Sequence, residues 1–250
     1  MASSPSFTCR LCGQQGSPSF EHIPPKSAFN SKPVFLQKGE NLFDSSNPLF
    51  GKRNRSHRGM GKHSLCETCN KSTGAWYARD YTSFAKQAFA LLERCTNGYT
   101  GPHSFRIRPH RVLKQVLTMF ASAESTDLLL RRPGFKEYLL DPTSIAFPSG
   151  LNVYLYYSIS SSFRVHGYSV FIPHDGDTPI SCSEIAFRPI GLILSYDGIK
   201  PHSSMEDITS FKDFAPDDEC DVVLDPPVLG LAGGDPGLYR YALSKTGAPL

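Results

Sequence analysis

Four of the seven cysteines fall into two CxxC pairs, Cys9 and Cys12 in CRLCG and Cys66 and Cys69 in LCETCN, with 53 residues between Cys12 and Cys66. Each pair can offer two thiolates from one knuckle, and two knuckles supply the four soft donors that a tetrahedral zinc ion takes in a structural site. The spacing therefore predicts one Zn2+ tying two distant segments together. An odd cysteine total with no export signal fits metal ligation in a reducing compartment better than a disulfide framework. Cys95, Cys182 and Cys220 are left as ordinary buried or half-buried thiols. Between the knuckles stands the pair Glu21-His22 in EHIPPK, and Asn70 follows Cys69 directly. The knuckles alone do not explain these three residues; by itself His22 reads as a polar strand residue beside Pro24-Pro25.

The elements that must position these groups are short at first. Residues 1–8 are Ser/Pro-rich, and Gly13 stands where a left-handed turn residue would let backbone amides face the sulfurs. Phe20 to Ile23 alternates as a short strand does, and Pro24-Pro25 ends it because proline lacks a ladder donor. Lys26 to about Phe50 is turn-rich with no helix of useful length. From Gly74, WYARDYTSFAKQAFALLERC spaces Trp76, Tyr77, Tyr81, Phe84, Phe89, Leu91 and Leu92 as one helical face, read as core packing, with Asn97-Gly98 as the stop. A second helix is expected over His110 to Ala123 with Pro109 at its start, and a continuation after a break over Asp127 to Arg132. Beyond Pro133, Val153–Ile159, Phe163–Ile172, Ile180–Phe187 and Ile190–Tyr196 are β-branched or aromatic runs between turn residues, which predicts an antiparallel sheet. Residues 205–227 are acidic, and 229–237 read as a loop. The cluster Asp217–Asp221 reads as a solvated acidic face in preference to a cation site.

A chain of 250 residues is long enough for one sizeable core or two small ones. No apolar run of about 18 residues is present and the N-terminus lacks the apolar centre of a secretory signal, so a soluble, cytoplasmic, non-membrane protein is expected. The net charge of +3 hides an asymmetry. Residues 1–125 carry 17 Lys/Arg against 7 Asp/Glu, and residues 126–250 carry 9 against 16. That imbalance points to a polyanionic partner for the first half. The window 52–62 is the most basic, with Lys52, Arg53, Arg55, Arg58 and Lys62 set among Gly and His. It is either a solvated, mobile loop or a phosphate-contacting one, in which clustered cations gain affinity by releasing condensed counterions.

The order CRLCG, EHIPPK, LCETCN resembles the zinc-clamped HNH endonucleases of the ββα-metal class over residues 7–82. The resemblance implies a ββα-metal domain with the four-cysteine structural zinc site over 1–100; with the helix and strand runs read above, a helical junction and a strand-rich C-terminal domain over 101–250 complete an α+β chain. It implies that His22 sits on a β-hairpin, that Asn70 opens the next helix, and that they converge. By the same resemblance Glu21 and Asn70 hold a catalytic Mg2+ or Mn2+ through hard oxygen donors, and neutral His22 takes the proton of the attacking water. Glu21 stands where the family more often has Asp, and Gly61 where it has the Asn that orients the histidine. His63, Ser64 or a backbone carbonyl is then expected to supply that hydrogen bond. The substrate implied is nucleic acid, DNA before RNA, with phage defence or restriction as the role and a homodimer or protein partner engaged through residues 101–250. The rival is a non-catalytic zinc-knuckle module that binds nucleic acid or protein.

Overall fold

The computed structural model describes residues 7–95, 101–171, 178–231 and 239–241. In chain order, β1 (Pro18–His22) is followed by β2 (Val34–Leu36), α1 (Glu40–Phe43), β3 (Asn54–Ser56), β4 (Gly61–Cys66) and α2 (Glu67–Arg94). Then come β5 (His103–Ile107), α3 (Pro109–Ala123), α4 (Phe135–Leu140), β6 (Asn152–Ser158), β7 (Arg164–Phe171), β8 (Ile180–Phe187) and β9 (Ile190–Ser195). β10 (Glu206–Asp207), a 3-10 turn (Thr209–Asp213), β11 (Cys220–Leu224), β12 (Val228–Leu231) and β13 (Tyr239–Tyr241) complete the described chain. The architecture is mixed α+β, and no described helix is long and apolar enough to cross a membrane.

β1 pairs antiparallel with β4, and inside the stretch between them β2 and β3 form a small ribbon of their own. The four expected strands are found as β6 to β9, in a seven-stranded sheet ordered β13-β12-β6-β9-β8-β7 with β10 also against β6. Within it the ring of Tyr156 lies over Gly191, where an added Cβ would fall 2.0 Å from a ring atom. Only glycine admits that approach.

Several expectations change. α2 begins at Glu67, about two turns before the pattern starts at Gly74, because Cys66 caps it with its side chain accepting from the Cys69 amide. Polar residues of those first turns carry no periodic signal. The segment Asp127–Arg132 is a turn, and α4 follows it instead. The expected loop at 229–237 starts with β12; its residues 232–237, like Asn97-Gly98, lie outside the described residues. Asp217, Asp218, Glu219 and Asp221 are exposed, as expected of a solvated acidic face, and three of them also pair with arginines. β11 pairs with β5, a strand that composition did not announce. Across that pair Arg106 reaches Glu219 and Asp221 at 3.4 and 3.3 Å; beside it Arg108 reaches Glu219 at 3.0 Å and Asp80 of α2 at 3.2 Å, and Arg111 of α3 holds Asp217. Exposed pairs are individually weak. Together they neutralise inside the molecule part of the positive charge assigned above to an external partner.

α3 holds the two halves together. Every residue from Pro109 to Ala123 except Arg111 is buried, with α2 and β4 on one side and β7, β8 and the 3-10 turn on others. One continuous core consequently runs from Cys9 and Leu11 through α2 and α3 to β6, β8, β9 and β12, so residue 100 marks a change of texture and not an edge of the core. A smaller cluster, including Tyr154, Tyr156, Ile193 and Leu229, packs apart from it. Such a buried helix must satisfy its polar side chains locally. His110 does so through Phe214 O at 2.8 Å and Tyr138 Oη at 3.0 Å, and Ser122 through Ser64.

Lys114, fully buried, donates to the carbonyls of Asp141 at 2.8 Å and Pro142 at 3.3 Å and lies over the Tyr138 ring. Burial pushes its ammonium down to about 8, against the opposing pull of Asp141. An unfolded lysine keeps its proton to about 10.4. Between those values the unfolded chain binds more protons than the folded one, so folding stability rises with pH there. Urea denaturation should show that rise from about pH 8 to 10, worth up to about 3 kcal/mol, and Lys114→Met should remove it. An unchanged pH slope in the variant would count against the assignment.

Candidate metal and nucleic-acid site

The four sulfurs of Cys9, Cys12, Cys66 and Cys69 lie within 4.8 Å of one another, and Cys12 Sγ is 3.9 Å from Cys66 Sγ. A tetrahedral ion with Zn–S bonds of about 2.3 Å sets its sulfurs about 3.8 Å apart, so the cluster can hold zinc with small adjustments. Gly13 adopts φ 74° and its amide returns to Cys9 O, closing the first knuckle. The amides of Cys66 and Cys69 point at the sulfurs of Cys9 and Cys66, at 3.3 and 3.5 Å. A hydrogen bond from the Cys69 thiol, helped by backbone amides, draws Cys9 down to about 4, while Cys69 is pushed up as the donor and Cys12 by burial. A four-cysteine cluster is common to many zinc-stabilised domains and by itself says nothing about cutting nucleic acid.

β1, β4 and α2 follow from this cluster, since Cys66 ends β4 and caps α2 in one residue. In the first turn of α2, Asn70 Nδ2 donates to Ser19 Oγ at 2.8 Å and Phe20 O at 3.1 Å. A carbonyl only accepts, so the amide NH2 must face β1. Asn70 Oδ1 is left with no hydrogen bond among the described residues. Next along the strand Glu21 is 8% exposed and has no hydrogen-bond or ion-pair partner among the described residues. Burial alone lifts its carboxyl to about 7.

His22 is half-buried and bonds Arg58 O through Nε2 at 2.8 Å. The carbonyl fixes the proton on Nε2 and leaves Nδ1 as the free lone pair of the neutral ring. Burial holds the imidazole below its ordinary value, with Arg58 and Lys26 adding to that and the carbonyl opposing it. Its ring meets Phe20 edge-on at 4.9 Å between centroids, with Arg58 over the other ring at 4.3 Å. His22 therefore shares a face with Phe20. Strand alternation sends Glu21 to the opposite face, where its cross-strand neighbour is Lys62. The structure thus joins Asn70 to the strand beside Glu21 and gives His22 a fixed tautomer, but does not gather all three side chains on one face of β1.

The missing orienting asparagine has a steric reason. A Cβ on Gly61 would lie 2.3 Å from Glu21 O and 2.6 Å from the Phe20 ring, so no side chain fits. Of the substitutes expected, Ser64 is spent on Ser122 and exposed His63 only packs on Phe20 at 5.3 Å. The backbone carbonyl does the orienting. Asn30, which sequence reasoning missed, secures that loop: buried, it donates to Pro24 O and Met60 O and accepts from the Met60 amide, all at 2.7 Å. An asparagine in a turn-rich stretch gave no signal of this.

Of the basic window, Lys52, Arg53, Arg55 and Arg58 are exposed. Lys62 is different: half-buried, it donates to Ala123 O at the end of α3, so its ammonium faces inward and not toward a phosphate. No family model matches the chain, and no curated protein or solved structure matches it either.

Metal analysis of the purified protein should find one zinc per chain. Cys66→Ser should release it and lower the thermal midpoint by roughly 10 °C or more, since structural zinc is a large part of local folding energy. A variant that melts with the wild type would show that the sulfurs hold no ion.

Proposed function

We propose that the chain is a zinc-clamped, metal-dependent endonuclease of the HNH type that hydrolyses phosphodiester bonds, DNA before RNA, in phage defence or restriction. What supports this reading most is one local arrangement: a histidine with a defined tautomer on the first strand of an antiparallel pair, and an asparagine in the first turn of the helix that follows the second, bonded back onto that first strand. It is the arrangement that the order of motifs in the sequence implies.

A buried carboxylate without a partner is costly unless something positive meets it, and Glu21 is such a group. Its oxygens and the unbonded Asn70 Oδ1 are hard donors, which fit Mg2+ or Mn2+ and not a second zinc thiolate site. A divalent ion there would supply charge stabilisation for the developing pentavalent phosphate and leaving oxygen. The protein's own groups do the rest. His22 Nδ1 accepts the proton from the attacking water, and Arg58 O, holding Nε2–H, stabilises the imidazolium that results. The exposed cations Lys52, Arg53, Arg55 and Arg58 hold the strand by its phosphates without reading its bases. Asn30 keeps the Arg58 carbonyl in register with His22.

The separation of Glu21 and His22 onto two faces of β1 favours a second reading, a zinc-knuckle module that binds nucleic acid without cutting it. Incubating plasmid with the protein and Mg2+ or Mn2+ separates the two. The nuclease reading expects metal-dependent nicking or linearisation, and a loss of at least about a hundredfold in His22→Ala with zinc and fold retained. Binding with no cleavage of any DNA or RNA form would sink it and leave the module.

A further inference from the structure

The stretch between β1 and β4 is larger than a hairpin needs, and its outer surface sets an exposed aromatic ring among cations. Phe35 and Arg55 stand directly opposite on β2 and β3, and one step further along the ribbon Arg53 Nε donates to Gln37 Oε1 at 3.3 Å. Alternation puts these four side chains on one face. The other face turns inward, with Val34, Leu36 and Ser56 half-buried. Phe35 is 65% exposed. Nothing in the folding of this chain calls for a phenylalanine there, because an exposed ring contributes little to stability.

The ribbon is also rich in cations that no carboxylate meets among the described residues, a state that Arg79, Arg94 and Arg132 share elsewhere but not in such a cluster. Elsewhere Arg10, Arg106, Arg108, Arg111, Arg164 and Arg188 are each within ion-pair distance of a carboxylate. Arg53, Arg55 and Lys52 have no carboxylate within that distance among the described residues. Residues 31–62 carry seven Lys/Arg against two Asp/Glu, of which Glu40 is taken by Lys38 and Asp44 by Ser46. A flat ring beside guanidinium groups that no carboxylate neutralises is complementary to a base beside its phosphates. Phenylalanine has no donor or acceptor with which to read base edges in a groove. Its gain comes from stacking on a base face, and in a duplex those faces are already covered by neighbours.

We propose that the outer face of the β2–β3 ribbon grips single-stranded nucleic acid, with Phe35 stacking on an unpaired base while Arg53 and Arg55 hold the flanking phosphates. Arg58 follows three residues after Arg55 and supplies the carbonyl that orients His22, so a strand held on the ribbon is delivered toward the histidine. The proposal rests on the nucleic-acid part of the reading above and adds to it a preference for unpaired strands.

Binding is measured by fluorescence anisotropy on the full-length, zinc-loaded protein carrying His22→Ala, so that cleavage does not intervene, with fluorescein-labelled oligo(dT) and a duplex of equal length as probes. Oligo(dT) should bind more tightly than duplex. Adding Phe35→Ala should weaken oligo(dT) binding about tenfold or more while changing duplex binding by less than about twofold. Phe35→Trp should keep the affinity and show quenched indole emission when oligo(dT) is added. Arg55→Ala should weaken both probes and reduce the slope of log affinity against log salt by about one. The proposal is overturned by equal oligo(dT) affinity in Phe35→Ala, or by an unquenched tryptophan. It is also overturned if Phe35→Ala leaves oligo(dT) binding intact and instead dissolves a dimer in sedimentation, since the apolar face then belongs to a protein interface. Phe35-dependent binding by a wild type that never cleaves would sink the nuclease reading alone; cleavage with Phe35-independent binding would sink the ribbon alone.

Discussion

The gathering of four sulfurs at the point where β4 turns into α2 is the constraint on which the N-terminal architecture depends. β1 and β4 are separated by a long stretch of chain, and a pair of short strands has little stability of its own. The first knuckle sits just before β1 and the second at the end of β4, so closing the cluster brings both strands and the helix start to one place. Cys66 serves the cluster, the strand and the helix cap at once. The ends of the stretch between the strands are thereby fixed, and it can carry a ribbon with an outer face that owes nothing to the core.

That small assembly would still be marginal without α3. The helix is enclosed on nearly every side, and its C-terminal end is bonded in both directions. Ser122 and the Ala123 carbonyl meet Ser64 and Lys62 of β4. Glu124, just past the helix, accepts the amides of Ser125, Thr126 and Tyr168. The strand opposite Glu21 is thus bonded through α3 to the C-terminal sheet. A carboxylate bonded to several amides resists displacement because breaking any one leaves a buried charge less satisfied. The C-terminal sheet is in this sense part of the scaffold of β1 and β4, whatever else it contacts.

The chemistry of the candidate site depends on two groups in opposite electrical situations. Glu21 is largely buried and without a hydrogen-bond or ion-pair partner among the described residues, so its proton is held more tightly than that of an ordinary carboxyl. His22 is half-buried and flanked by cations, which hold its imidazole below the ordinary value, and its Nδ1 keeps a lone pair. The carbonyl that sets its tautomer comes from the backbone, in a place where Gly61 leaves no room for a side chain of its own. A steric exclusion on one strand is met by a hydrogen bond from the loop before it.

The amino-acid sequence determined what depends on residue type and short spacing. The two knuckles, the strand at Glu21-His22, the body of α2, α3 with its N-terminal proline, and β6 to β9 all have local causes: thiol pairs, alternation, a 3.6-residue stripe, a proline at the first turn. What it did not determine depends on partners far along the chain. β5 and β11 stabilise each other through charges far apart in sequence, so neither announces itself alone. Asn30 and the Arg58 carbonyl matter only because the loop they form lies against His22. Lys62 looks like its basic neighbours in composition, yet pairing opposite Glu21 turns it toward α3. Phe35, one apolar residue among turn signals, acquires meaning only when the register sets it across from Arg55 on an outer face. Tertiary structure decided these because burial, face and hydrogen-bond partner are properties of the folded chain's geometry, and no window of neighbouring residues contains them.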